Sequence, residues 1–246
     1  MSLQLDARQL GMLEAMGIKL FQPAITEEAP PPAVPAAPIA RAAQSVEPAA
    51  RSPTMQPAIE LLEWDALAGA VTACRACPLC DGRANAVFGI GNRQADWLIV
   101  GEPPDENEEQ QGEPFVGQAG KLLDNMLKAL RLDRGSQVYI TNVMKCRPPG
   151  NRNPRPEEVA QCEPFLRRQV QLLQPKIILA MGRFAVQSLL GTTEAIGTLR
   201  GRAHQYCGVP VVVTYHPAYL LRNLPHKANA WADLCFAQAL LRQNSQ

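Results

Sequence analysis

The sequence predicts an α/β fold, a parallel sheet covered by helices on both faces. Two observations predict it. Four short apolar runs (Trp97–Val100, Val138–Ile140, Ile177–Met181 and Val209–Thr214) are each bounded by turn residues, as buried strands are. Helical patterns alternate with them, and strands separated by helices form parallel sheets buried on both sides.

Leu3 to Phe21 carries apolar residues at helical spacing, weakened by Gly11 and Gly17, so 1–21 reads as a short amphipathic helix suited to holding a protein partner. Residues 22–57 turn to Pro and Ala, a composition that buries too little apolar surface to fold. They read as a disordered linker, and the folded domain spans 58–246. A helix over Ile59–Val71 runs into Cys74-Arg-Ala-Cys77-Pro-Leu-Cys80. The first strand ends at Gly101-Glu102-Pro103-Pro104, and an acidic turn follows from Asp105. Ala119–Leu130 places Leu122, Leu123, Met126, Leu127 and Leu130 on one helical face. Pro156-Glu157-Glu158 opens a helix, with proline in its first turn and acids at its positive end. A helix through Ala185–Leu190 stops at Gly191, and Lys227–Leu241 closes the chain as an amphipathic helix.

The formal net charge of +1 means that nucleic-acid binding would need a local basic face. No apolar run is long enough to cross a membrane, and the N-terminus lacks the basic-then-apolar pattern of an export signal. A cytoplasmic monomer is expected. Seven cysteines, an odd number, in a reducing compartment favour metal or cluster ligation over a disulfide framework.

The strands end in Glu102, Asn142, Gly182 and His216. A parallel sheet gathers such residues along its carboxyl edge, where ligands bind in open α/β sheets. An amide both gives and takes hydrogen bonds on a heterocycle edge, an imidazole donates to a developing oxyanion, and a carboxylate positions water. Any one of them alone would be an ordinary turn residue. Phe115, in a Gly/Pro-rich loop, either stacks on a planar ligand or plugs the loop into the core. Four thiolates drawn from the C-x-x-C-x-x-C run, Cys146 and Cys162 suit Zn²⁺ or a [4Fe–4S] cluster. The run is similar to part of a ferredoxin ligand string, which favours iron–sulfur.

Taken together, five blocks are recognisable: Gly101-Glu102-x-Pro104, Gly112-x-Pro114-Phe115-Val116-Gly117-x-Ala119-Gly120, Val138-Tyr139-Ile140-Thr141-Asn142, Lys145-Cys146-Arg147-Pro148-Pro149 and His216-Pro217-Ala218-Tyr219-Leu220-Leu221-Arg222. In order and spacing they resemble the family 4, iron–sulfur uracil-DNA glycosylases, from about Cys74 to the last helix. The resemblance implies a three-layer α/β/α sandwich with a four-stranded parallel sheet. It implies a DNA repair enzyme that flips uracil out and hydrolyses its glycosidic bond. Cys74, Cys77, Cys146 and Cys162 would hold a structural [4Fe–4S] cluster, with Cys80 extra to the pattern.

In that frame Phe115 stacks on the flipped base and Asn142 reads its O4/N3 edge. His216, with backbone N–H groups from Gly101 onward, stabilises the departing uracil, while Glu102 orients water or stabilises the sugar cation. Glu108 crowds C5 and excludes the thymine methyl. Leu220, Leu221 and Arg222 enter the minor groove, and Lys145, Arg147 and Arg152 contact phosphates. On DNA the protein would sit at the nucleoid. Asp105 and the acidic turn depart from the family pattern. They keep open an alternative: a non-catalytic DNA- or uracil-binding module retaining the fold and cluster.

Overall fold

The computed structural model describes residues 59–244. The expectations for 1–21 and 22–57 lie outside the described residues. The described residues begin with a 3₁₀ turn at Ile59–Leu61 and helix α1 (Trp64–Ala73). Then come β1 (Ile90–Gly91), β2 (Trp97–Gly101), α2 (Glu106–Gln111), α3 (Gly117–Ala129) and β3 (Val138–Asn142). The second half adds α4 (Pro156–Leu173), β4 (Ile177–Met181), α5 (Arg183–Leu190), α6 (Ile196–Leu199), β5 (Ala203–Tyr206), β6 (Val209–Thr214), α7 (Pro217–Arg222) and α8 (His226–Asn244).

The sheet is six-stranded, in the order β1-β3-β2-β4-β6-β5. Its four inner strands are the four apolar runs, all mutually parallel. The two edge strands, β1 and β5, pair antiparallel and extend the expected four-stranded sheet. Neither edge strand has an apolar run to betray it. β1 is two residues long, and β5 is largely exposed, as an edge strand can be. A two-residue turn joins β5 to β6, with Cys207 and Gly208 at φ 50° and 79°, the double left-handed geometry that suits a tight hairpin.

Successive residues of the inner strands face opposite layers. Leu98, Val100, Ile178, Ala180, Val211 and Val213 point to one core with Leu166 and Val170 of α4 and Val186 of α5. Ile99, Ile140, Leu179 and Val212 point to the other with Leu123 and Leu127 of α3 and Leu234 of α8. These are the three layers of an α/β/α sandwich. Helix α1 adds a smaller cluster, in which Leu67 and Val71 pack on Phe165 of α4. Register places Gly101 opposite Asn142 and Met181 opposite Thr214. The carboxyl ends of all four inner strands therefore lie along one edge.

Candidate active site

Glu102 leaves β2 and reaches across to the start of α5, where its Oε1 accepts the Phe184 N–H at 3.3 Å. This approach requires Gly182, because a Cβ there would stand 2.7 Å from the Glu102 carboxyl carbon. Burial raises the Glu102 pKa; the Phe184 and Arg183 amides and the charges of Arg183 and Arg222 oppose it. A carboxylate at a helix N-terminus is a stable place for negative charge.

His216 caps α7, its Nδ1 accepting the Ala218 N–H at 3.2 Å. Burial, helped by Arg222, pulls its pKa down to about 4. The ring is therefore neutral at physiological pH. With Nδ1 used as an acceptor, its proton sits on Nε2, available for donation. Phe115 stacks on this imidazole with centroids 5.0 Å apart and planes 25° apart. Gly101 is where the strand passes closest beneath the ring. A Cβ at 101 would lie 2.5 Å from Phe115 Cε2 and 2.7 Å from Asn142 Oδ1.

Asn142, 1% exposed at the end of β3, is the exception in the site. Its Nδ2 has no hydrogen-bond partner, the one such buried side-chain atom among the described residues. Native interiors rarely leave a buried donor unmatched, so the group asks for a functional explanation. It lies near Glu108, favouring that residue's charge, without closing a hydrogen bond at good geometry.

Glu108 is a strut as much as a wall. Its Oε2 accepts the Asp105 N–H at 2.8 Å, while Asp105 Oδ1 accepts the Glu108 N–H at 2.9 Å. This reciprocal capping box starts α2. The other carboxylate oxygen accepts the Phe115 N–H. Burial lifts the Glu108 pKa to about 7 against these two backbone donors. Asp105, where the chain departs from the family pattern, is thus a helix cap, and what reads as an acidic turn is a helix. Glu102, Glu108, Phe115, His216, Arg152 and Arg222 border one cavity of about 290 Å³.

The structure changes the expected DNA-facing set. Lys145 is 1% exposed and lies in the interior, so it contacts no phosphate. Its Nζ donates to Thr141 Oγ1 and Gln169 Oε1, each at 2.6 Å, and to the Asn142 carbonyl at 3.0 Å. Leu220 is buried too, while Leu221 is 41% and Leu224 60% exposed. The apolar tip beside exposed Arg222 is therefore Leu221 and Leu224, not Leu220. Arg147 is divided among Glu106, Glu109 and Asn151, and Arg152 pairs with Glu158 through both terminal nitrogens.

Cys74, Cys77, Cys80, Cys146 and Cys162 all line a second, apolar cavity between α1, the β3–α4 connection and α4. Arg83 Nη1 donates to Cys146 Sγ at 3.0 Å, and the Lys145 N–H donates to Cys162 Sγ at 3.2 Å. Burial drives the Cys162 thiol up to about 12 and raises Cys77 and Cys146. Free thiols would stay protonated here, whereas a bound metal deprotonates its thiol ligands. Among the described residues no group of three or more His, Cys, Asp or Glu forms a set able to hold a single metal ion. As a chemical donor set, buried sulfurs receiving N–H bonds suit a soft-metal group.

Arg134 has no counterpart in the sequence expectations. Its guanidinium donates to the Phe115 carbonyl at 3.0 Å and the Pro114 carbonyl at 2.5 Å. It lies between two motifs, and an arginine in a loop carries no signal of what it will hold.

An α/β/α sandwich with an amide, an imidazole, a carboxylate and a stacking ring at its carboxyl edge defines a class of base-handling proteins. The chain belongs to the uracil DNA glycosylase superfamily, whose family model matches residues 88–235. Within it, the chain is similar to proteins of type 4 and type 5. The type-4 uracil-DNA glycosylase of Archaeoglobus fulgidus is 43% identical over 159 residues, covering 61% of this chain and 79% of that protein. That of Thermotoga maritima is 44% identical over 155 residues, covering 62% and 80%. A type-5 enzyme from Pyrobaculum aerophilum is 34% identical over 152 residues, covering 54% and 66%.

Proposed function

We propose that this chain is a monofunctional uracil-DNA glycosylase of the type-4 kind: it takes uracil flipped out of DNA and hydrolyses the N-glycosidic bond. The observation that carries this reading is the buried, unpartnered Asn142 amide beside Phe115 and His216. An amide left unmatched in a core is costly unless a ligand completes it. Uracil supplies O4 as acceptor and N3–H as donor, which matches an amide edge; cytosine, with N4 as donor and N3 as acceptor, reverses that pattern.

Phe115 and His216 are too close to admit a base between them. The base enters from the adjoining cavity, which both rings border, and the pair parts so that Phe115 stacks on the base while His216 reaches its edge. Neutral His216 donates from Nε2 to O2 as negative charge collects there, with the amides following Gly101. An imidazole with its pKa near 4 donates without first losing charge, which keeps the developing anion the main charge at that end of the site. Glu102 sits on the sugar side, where its carboxylate stabilises the cation or orients water. Glu108, holding the Phe115 loop, also crowds C5. Glu108→Ala that released thymine would support this; unchanged selectivity would remove it.

Arg222 and Arg152 meet phosphates, while Leu221 and Leu224 fill the space the base leaves. Cys74, Cys77, Cys146 and Cys162 would hold a [4Fe–4S] cluster, whose contribution would be structural. The substrate is uracil-containing DNA, acted on by a cytoplasmic monomer, with residues 1–21 left for a protein partner. The test is cleavage of uracil-containing single- and double-stranded oligonucleotides. Abasic product, lost in Asn142→Ala and His216→Ala, is expected. Tight binding with no abasic product would overturn the catalytic reading. Iron and sulfide near four per chain test the cluster; zinc without iron would exclude it.

A further inference from the structure

We propose that Arg134 is a positioning residue for base recognition: it holds the main chain of Phe115 so that the ring presents its face to the flipped base. This rests on the glycosylase reading above. Phe115 has φ +53°, a left-handed conformation that a bulky side chain adopts only when its surroundings impose it. Three anchors from three segments impose it. Glu108 of α2 accepts the Phe115 N–H. Arg134, in the α3–β3 connection, donates Nη1 to the Phe115 carbonyl at 3.0 Å and Nη2 to the Pro114 carbonyl at 2.5 Å. The bare Cα of Gly120 lets the first turn of α3 close on the Phe115 carbonyl, where any side chain would collide with it.

Both peptide groups flanking Phe115 are thus held. The planar guanidinium fork reaches two successive carbonyls at once, and Asp124 fixes its orientation at 3.2 Å. Without the fork, φ of Phe115 relaxes toward negative values. The Cα–Cβ direction then turns, and the ring leaves both the His216 imidazole and the base plane. Arg134 touches neither ring nor base, so its whole effect passes through Phe115.

The test is a double-mutant cycle on a uracil-containing single-stranded oligonucleotide, comparing Arg134→Gln, Phe115→Ala and the double variant. Arg134→Gln should lower kcat/KM on the order of 10²-fold, the size expected when a contact is misplaced by about 1 Å. The double variant should be no slower than Phe115→Ala alone. Arg134→Lys should remain impaired, because one ammonium cannot hold both carbonyls. Asp124→Asn, which leaves the fork in place, should show a smaller loss that is equally non-additive with Phe115→Ala. That variant serves if Arg134→Gln fails to fold. Activity within twofold of the parent, or losses that multiply with Phe115→Ala, would overturn the proposal. If the parent protein releases no uracil, the glycosylase reading fails separately. The Phe115 ring-proton shifts, set by the stacked His216, still report Arg134: unchanged shifts in Arg134→Gln would refute the positioning role and displaced ones would support it.

Discussion

Asn142 and Lys145 stand three residues apart at the end of β3, each 1% exposed, one an amide and the other a cation. Burying an ammonium is the costlier act, yet Lys145 is the satisfied one: its donors meet Thr141, Gln169 and the carbonyl of Asn142 itself. Asn142 Nδ2 lies near the Glu108 carboxylate but closes no hydrogen bond. The core completes the group it uses for support, and the group it leaves open is the one proposed above to meet a ligand. Burial alone would rank both as structural; hydrogen-bond completeness separates them.

The largest expected effect breaks the satisfied side. Lys145→Met takes the short hydrogen bond from Gln169 Oε1 and the bond from the Asn142 carbonyl in the core, at about 1–3 kcal/mol for each acceptor left short of a partner, while Thr141 Oγ1 keeps its bond to the Phe88 carbonyl. Thermal unfolding should show a loss of at least roughly 2 kcal/mol, even though no DNA contact is removed. A change below about 0.5 kcal/mol, the size of a surface substitution, would return Lys145 to the surface role.

Asn142→Ala is the opposite case. It removes an unmatched donor, so stability should hold or rise, while kcat/KM on uracil DNA falls by about 10²–10³-fold, as when one preorganised donor is lost. Stability and activity falling together would mean that the amide supports the core and would dissolve the contrast with Lys145.

The pH profile sharpens the same distinction at Glu108 and His216. His216 titrates at about 4, below its ordinary 6.5, so the folded state binds fewer protons than the unfolded one between those values. Its contribution to stability is complete above pH 6.5 and is lost as pH falls toward 4. Glu108 is raised from 4.5 to about 7, so the folded state binds more protons there, and its contribution falls as pH rises across that window. The ionised form is the one that best accepts both the Asp105 and Phe115 N–H groups. Activity should therefore climb through an apparent pKa near 7 while Glu108-linked stability declines. Glu108→Gln should remove that limb, since an amide does not titrate, and should lower activity at every pH, since it presents only one acceptor oxygen to two N–H groups. An unaltered acid limb in Glu108→Gln would assign it elsewhere.

What was legible in the sequence follows from how each part is built. A parallel strand buried on both faces is a continuous apolar run, so β2, β3, β4 and β6 and the residues at their ends stand out. The edges β1 and β5 carry no such run and are set by their partners. The α2 helix was legible in principle, because Asp105-Glu106-Asn107-Glu108 has capping-box spacing, but Asp105, Glu106, Glu108 and Glu109 also fit a solvated turn. Lys145 immediately precedes Cys146 and Arg147 at the start of a proline-rich loop, where a basic residue suggests DNA. Its burial is decided by Gln169, 24 residues away on α4. Leu220 and Leu221 look alike in sequence, and only the turn of α7 buries one and exposes the other.

The smallest expected effect concerns Arg147, whose charge faces Glu109 at 3.3 Å and Glu106 at 3.4 Å. Partly exposed pairs of this kind contribute about 0–1 kcal/mol, so Arg147→Gln should scarcely move thermal stability. Its consequence for DNA depends on whether the guanidinium is committed, as Lys145 is, or open, as Asn142 is. A committed Arg147 serves to cancel the acids beside the DNA path. Its loss should then weaken binding at low salt by uncovering Glu106 and Glu109, while the number of counterions released stays the same. A phosphate contact behaves differently: removing one reduces the slope of log K against log salt by about 0.7–0.9. Binding isotherms over several salt concentrations separate the two cases. The hydrogen bonds to Glu106, Glu109 and Asn151 lead us to expect an unchanged slope, and a slope reduced by one contact would make Arg147 an open group after all.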